Sequence, residues 1–238
     1  MQRHSILQVP FHALKQNEAL DILISFLNTS ENHLVVTPNP EAVMLSRRNS
    51  EFLYILQNAD LVLADGIGIL IAAKILKLPI SARVPGCDIA LALLNKTKGV
   101  SVFLLGAKPG AAKKAAGIFL SEGINIVGAR DGYFDKETEV EIIREIQTIK
   151  PDILIVGMGM PRQEVWAKSH FDILPCKITM CLGGSIDIFA GEVIRAPKIM
   201  RRFGMEWFYR LVTNPWRAKR MLDLPRFIKE VIKERICR

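Results

Sequence analysis

A carboxylate stands where a run of apolar residues ends. In DLVLADGIGILIAAK, Leu61, Val62, Leu63 and Ala64 read as a buried strand, Asp65 follows at once, and Gly66 and Gly68 open a helix-like run. An Asp-Gly pair can be an Asx turn that closes a strand. At the rim of a crevice the same Asp can exchange protons with a ligand. An ordinary Asp, with a pKa near 3.9, is ionised at neutral pH and so available as a base. Other strand ends carry chemistry of the same kind: Thr37 and Asn39, Gly106, Asp131 and Tyr133, Gly159 and Gln163, and Gly184 and Asp187. Each lies just past an apolar run, so all are expected to converge on one crevice. Glycines let phosphates approach the backbone, and the helix N-termini that follow attract anions. Arg83, in RVPGCD, is placed to clamp a phosphate through two N–H groups.

Plainer roles compete with these. Asn39 before Pro40 and Glu41 reads as a helix N-cap. Gln163 and Glu164 open a helix, where a Glu suits the dipole. Arg83 can be solvated surface, with Asp88 as its nearest acid in sequence. Asp187 lies in the apolar stretch GGSIDIFAG, where a buried carboxylate needs a partner. GIGILI and GMGMPR both lack the third glycine of a dinucleotide fingerprint, and no GxxxxGK[ST] occurs, so this is not a P-loop enzyme. The absence of an Asp-x-Asp pair disfavours a nucleotide-sugar site bridged by a metal of that type. Cys87, Cys176, Cys181 and Cys237 form no CxxC, and His4, His12, His33 and His170 form no HExxH. Reduced thiols are expected, and no structural zinc.

The elements that must position these residues alternate along the chain. Strands are expected at HLVVT, before Asp65, and at VSVFLLG, NIVGA, DILIVGMG and KITMCLGG. Helices are expected over 17–29, after Asn39, and over 51–58, 67–77, 88–96, 111–121, 136–149 and 161–170. The strands are apolar throughout rather than at every second residue. That predicts an α/β fold: a mostly parallel, Rossmann-like sheet with helices on both faces. Ligands bind such sheets beyond the carboxyl ends of the strands. The 238 residues, half of them hydrophobic, suffice for one large core. The pattern breaks after Gly191, which predicts a catalytic domain over 1–194 and a helical, basic appendage over 195–238.

Charge divides at the same place. Residues 195–238 hold 13 Lys/Arg against 4 Asp/Glu, whereas residues 1–194 hold 19 against 20. A basic tail on a neutral body points to a polyanionic surface as partner. The tail also carries Phe203, Trp207, Phe208, Tyr209 and Trp216. Beyond Pro225, Phe227, Ile228, Val231 and Ile232 form one helical stripe, and Arg226, Lys229 and Lys233 another. A helix lying in a membrane interface has this pattern, and each basic residue near an anionic leaflet is worth about 1 kcal/mol. An amphipathic helix docked on its own domain has it too. No nucleic-acid motif accompanies the charge, so nucleic acid is not expected as a partner. No apolar run is long enough to span a bilayer and no signal peptide is visible at the start, so a cytosolic protein is expected.

The blocks TPNPE, ADGIG, RVPGCD, LLGAK, DGYF, GMGMPRQE, GGSIDIFAGEVIRAP and EWFYRLVTNPWRAKRM occur in an order and spacing that resemble the WecG/TagA/CpsF glycosyltransferase family, nearest its teichoic-acid branch. The resemblance implies an inverting transferase that uses neither metal nor cofactor. It would move N-acetylmannosamine, or a related sugar, from a UDP donor to N-acetylglucosamine on undecaprenyl diphosphate. It implies work at the inner face of the cell membrane, and self-association. It assigns Asp65 as base, Thr37, Asn39 and Arg83 to the catalytic pocket, Gln163 to ligand binding, and Arg210, Arg217 and Arg220 to the acceptor diphosphate. The donor sugar stays open, with an N-acetylmannosaminuronate or a plain hexose as alternatives. A nucleotide-dependent oxidoreductase and a lipid-binding module without activity are the readings outside the family.

Overall fold

The computed structural model describes residues 2–197, 199–200, 204, 206–213 and 223–237; the side chains of Trp207, Arg210 and Leu211 lie outside that description. The chain opens with an antiparallel hairpin, β1 (Arg3–Ile6) and β2 (Val9–His12). Six parallel strands follow: β3 (His33–Val36), β4 (Leu61–Val62), β5 (Val102–Gly106), β6 (Ile126–Arg130), β7 (Ile153–Gly157) and β8 (Ile178–Cys181). They lie in the order β4-β3-β8-β7-β5-β6, every pair parallel. The expected α/β architecture is what the chain adopts.

Successive strand residues feed two separate cores, one on each face of the sheet. Leu34 and Val36 of β3 and Leu154 and Val156 of β7 point into one core; Val35, Ile153 and Ile155 point into the other. The first core is closed by α2 (Pro40–Ser46), α3 (Ser50–Asn58), α4 (Ile67–Leu76), α7 (Lys136–Ile149) and α8 (Arg162–Ser169), through Val43, Phe52, Ile69, Ile142 and Trp166. The second is closed by α1 (Gln16–Phe26), α5 (Gly86–Lys96), α6 (Ala111–Ser121) and α9 (Ser185–Phe189), through Leu23, Leu93, Phe119 and Ile186. A strand buried on both faces has no polar side to alternate with, which is why β5 and β7 are apolar at every position and β8 at all but Thr179, whose buried hydroxyl donates to Asn32 Oδ1 at 3.0 Å.

Among the described residues that follow are a short helix, α10 (Glu206–Thr213), and a longer one, α11 (Asp223–Cys237). α11 lies on the body against α4 and α2. Phe227 and Val231 have no exposed surface and belong to the first core, and Ile228 packs against it. The stripe expected to meet a membrane is therefore largely inside the protein, with Ile232 left 45% exposed. The i, i+4 spacing fits either surface, and here the apolar α4, with Ala72 and Ala73, supplies the partner. The basic stripe is also partly neutralised within α11, by Asp223–Arg226 at 3.5 Å and Glu230–Lys233 at 2.7 Å. Arg47 binds Glu230 at 3.0 Å, and Glu234 Oε2 accepts the Leu7 N–H at 3.0 Å.

That last bond holds the hairpin turn. Leu7 and Gln8 both have positive φ, 49° and 71°, as a two-residue primed turn requires. Such turns usually announce themselves by Asn-Gly, and here tertiary contacts replace the signal. Leu7 is buried, and Gln57 Nε2 donates to the Gln8 carbonyl at 3.1 Å.

Candidate active site

The chain past β4 continues beside β3. The Leu63 N–H donates to Val36 O at 2.9 Å, and the Asp65 N–H to Pro38 O at 3.3 Å. On its other side the Val84 N–H donates to Ala64 O at 2.8 Å, which brings in the Arg83 segment. Asn39 caps α2, its Oδ1 accepting the Ala42 N–H at 2.9 Å, with Pro40 at the first helical position. Its amide nitrogen is then the end it can offer a ligand. Gly66 turns the chain at φ +88°, and a Cβ on Gly68 would sit 2.5 Å from Pro40 Cγ. These two glycines let α4 start directly against α2, so Thr37, Asn39, Asp65 and Arg83 share one rim.

That rim borders a cavity of about 380 Å³, within the range of small-molecule sites. Its wall includes Thr37, Asn39, Asp65, Arg83, Gly159, Gln163, Gly184 and Asp187, all expected from sequence. Gly106, Asp131 and Tyr133 stand outside it. The strand order explains why: β5 and β6 lie beyond β7, and the cavity forms at the ends of β4, β3, β8 and β7. The expected convergence of all strand ends on one crevice is not met. Asp131 Oδ1 accepts the Gly110 N–H at 2.9 Å at the start of α6, and Tyr133 is 70% exposed. Gly106 is glycine because the Gly157 carbonyl of the neighbouring strand occupies the place of its Cβ. Arg210 lies on α10, but its side chain is outside the described residues, as are Arg217 and Arg220 entirely.

Three polar groups in the wall have a different environment from the one expected. Gln163 is buried, and its Oε1 accepts two backbone N–H groups, Gly159 at 3.2 Å and Gly183 at 2.9 Å. It ties the β7 turn to the β8 turn. Its Nε2 donates to Glu164 Oε1 at 2.7 Å. Glu164 is 5% exposed, with Oε2 buried and without a hydrogen-bond partner; burial pushes its acid up to about 7, against the Gln163 bond that lowers it. Glu164 does stand in the first turn of α8, where a Glu suits the dipole, but its side chain is buried rather than on the surface. Asp187 sits in the first turn of α9 with Oδ1 buried and unpartnered.

Arg195 was anticipated only as a boundary. It lines the cavity, and its Nη1 donates to Asp88 Oδ1 at 2.6 Å, so the acid nearest Arg83 in sequence is engaged by Arg195. Desolvation is the largest single influence and opposes the Arg195 charge, but the Asp88 hydrogen bond and the charges of Cys87, Asp88 and Glu206 together outweigh it and raise the guanidinium above its ordinary value. A sequence cue existed: an Arg between Ile194 and Ala196 in an apolar stretch. Among the described residues no three His, Cys, Asp or Glu side chains converge as a metal centre, and the four cysteines are free thiols.

A parallel sheet whose carboxyl edge presents a carboxylate, two guanidiniums and small polar groups to one cavity is the arrangement in which α/β enzymes take ligands, beyond the ends of their strands. The family is settled by comparison. The model of the glycosyl transferase WecG/TagA/CpsF family matches residues 4–238, and this chain belongs to that family of glycosyltransferases. The N-acetylglucosaminyldiphosphoundecaprenol N-acetyl-beta-D-mannosaminyltransferase of Bacillus subtilis (strain 168) is 33% identical, over 98% of this chain and 93% of its own. The enzyme of the same name from Bacillus spizizenii (strain ATCC 23059 / NRRL B-14472 / W23) is 35% identical, over 88% and 82%. That from Staphylococcus aureus (strain MRSA252) is 36% identical, over 87% and 83%.

Proposed function

We propose that this glycosyltransferase moves N-acetylmannosamine from UDP to N-acetylglucosaminyl-diphospho-undecaprenol, with inversion and without a metal ion. The names of its relatives supply the acceptor and the sugar. The observation that carries the mechanism is Asp65 at the cavity rim beside Arg83. In this reading the Asp65 carboxylate takes the proton of the acceptor hydroxyl. The freed oxygen bonds to the anomeric carbon from the face opposite UDP, and the bond to the β-phosphate oxygen breaks. Arg83 and Arg195 meet the charge that develops on UDP. Arg210, Arg217 and Arg220 belong to the same reading as cations for the acceptor diphosphate.

The place of work follows from the acceptor. A lipid-linked substrate brings the enzyme to the inner face of the membrane. Among the described residues no helix is long and apolar enough to cross a bilayer. Ile194, Ile199 and Val212, at 79%, 72% and 63% exposed, offer apolar contact there, with Ile194 itself at the cavity. Residues around α10 thus replace the α11 stripe as the membrane-facing part of the appendage. Self-association completes the reading and is checked by sedimentation. The decisive experiment incubates the enzyme with a soluble lipid-diphosphate acceptor analogue and a set of UDP-sugars. UDP release with UDP-N-acetylmannosamine is expected; release with none of them contradicts the proposal.

A further inference from the structure

Glu164 is a buried acid that the proposed reaction leaves without a task. It lies in the cavity wall, where Phe52 and Leu56 of α3 are apolar and Cys181 of β8 is a thiol kept protonated by burial. No cation pairs with it among the described residues. One carboxyl oxygen is fixed by Gln163, and Gln163 is itself fixed by two backbone N–H groups. The other oxygen, Oε2, has no partner. A buried polar atom left this way is costly, and the cost is recovered when a ligand supplies the missing bond. The acid is protonated for a large part of its time near neutral pH, so Oε2 is a donor, and a diphosphate entering the cavity favours the protonated form further.

We propose that the Oε2 hydroxyl of Glu164, braced by Gln163, donates a hydrogen bond to a carbonyl oxygen of the bound sugar nucleotide. This rests on the transferase reading above and adds a recognition residue to it. Two parts of such a ligand carry a carbonyl of the right kind: the uracil ring and the acetamido group of the sugar. Either is neutral, as a site closed around a carboxyl group requires. Gln163 is the positioning residue, since its amide oxygen is already saturated by Gly159 and Gly183.

The geometry makes the conservative variant informative. In Glu164→Gln the Gln163 Nε2 holds the new amide oxygen inward, and the new N–H₂ takes the place of Oε2. Donation to the ligand is kept. Glu164→Met fills similar space and donates nothing. Affinities for UDP, UDP-N-acetylmannosamine and UDP-glucose are measured by calorimetry for wild type and both variants. Glu164→Met is expected to lose about 10–100-fold, and Glu164→Gln to rescue binding to within about threefold of wild type. Loss toward all three ligands assigns the uracil carbonyl; loss confined to UDP-N-acetylmannosamine assigns the acetamido group. A folded Glu164→Met that binds all three as wild type does overturns the assignment. Infrared difference spectra of wild type decide the matter even if that variant does not fold. The carboxylic acid C=O band of Glu164 should shift on ligand addition, and a band that stays put overturns the assignment. Wild type that binds none of the three contradicts the transferase reading, and Glu164 falls with it. Wild type that binds while Glu164→Met is indifferent contradicts Glu164 alone.

Discussion

The buried carboxyl of Glu164 should leave a mark on stability that has a definite sign. Its ordinary value is 4.5 and burial moves it to about 7. In the unfolded chain the group is solvated and loses its proton near the ordinary value. Between those two values the folded protein holds a proton that the unfolded chain has released. Stability therefore falls as pH rises through this window, and the loss is complete above about 7. A displacement of this size corresponds to about 3 kcal/mol at most. The neighbours do not cancel it: Gln163 is uncharged, α3 contributes Phe52 and Leu56, and burial holds the Cys181 thiol protonated. Glu164→Gln removes the titration and keeps the Gln163 bond. At pH 5, just past the lower value, the two proteins should melt within about 1 kcal/mol of each other. At pH 8.5 the variant should be the more stable, by up to about 3 kcal/mol. For a chain of this length that is on the order of 6–12 °C in Tm. Thermal unfolding followed by circular dichroism at both pH values measures it. A gap between variant and wild type that is the same at pH 5 and pH 8.5 would refute the burial argument.

Other outcomes follow from the same contacts. Gln163→Leu leaves two backbone N–H groups and the Glu164 carboxyl without their partner, so a loss of about 3–6 kcal/mol is expected in denaturant titration. A loss under about 1 kcal/mol would mean that the two turns hold themselves. Phe227→Ala empties a site with no exposed surface between α11 and the body and should cost about 3–5 kcal/mol. Faster proteolysis within α11 should accompany it; an unchanged melting curve would contradict the docked position of that helix.

The parallel sheet was legible because its central strands are apolar in nearly continuous runs, β5 and β7 without exception, and because α2, α3 and α7 open on Asn or Asp caps. Asn39 was read as a cap and is one. The hairpin at Leu7 and Gln8 was not legible, because a buried leucine and contacts from Gln57 and Glu234 replace the turn residues that normally reveal it. The set at the strand ends was half legible. Residues past an apolar run do reach the carboxyl edge, but which of them share a cavity depends on strand order, and spacing along a chain does not encode that order. Gly106 and Asp131 were misplaced for this reason. The α11 stripe shows the reverse ambiguity, since one helical period serves a membrane and a protein core equally well. Glu164 reads from sequence as a helix-opening acid and Arg195 as a boundary because their burial is a tertiary fact; beside Gln163 and after Ile194 they look like surface charges.

The central claim is that Asp65 accepts the proton of the attacking hydroxyl. Its most direct test is the turnover of Asp65→Asn with UDP-N-acetylmannosamine and a lipid-diphosphate acceptor analogue, read as UDP released per second. Asparagine keeps the shape and removes the basicity. A fall in kcat of at least about tenfold, with the circular dichroism spectrum and UDP affinity preserved, is predicted. A variant that turns over at close to the wild-type rate would contradict the account and leave Asp65 as no more than the residue that ends a strand.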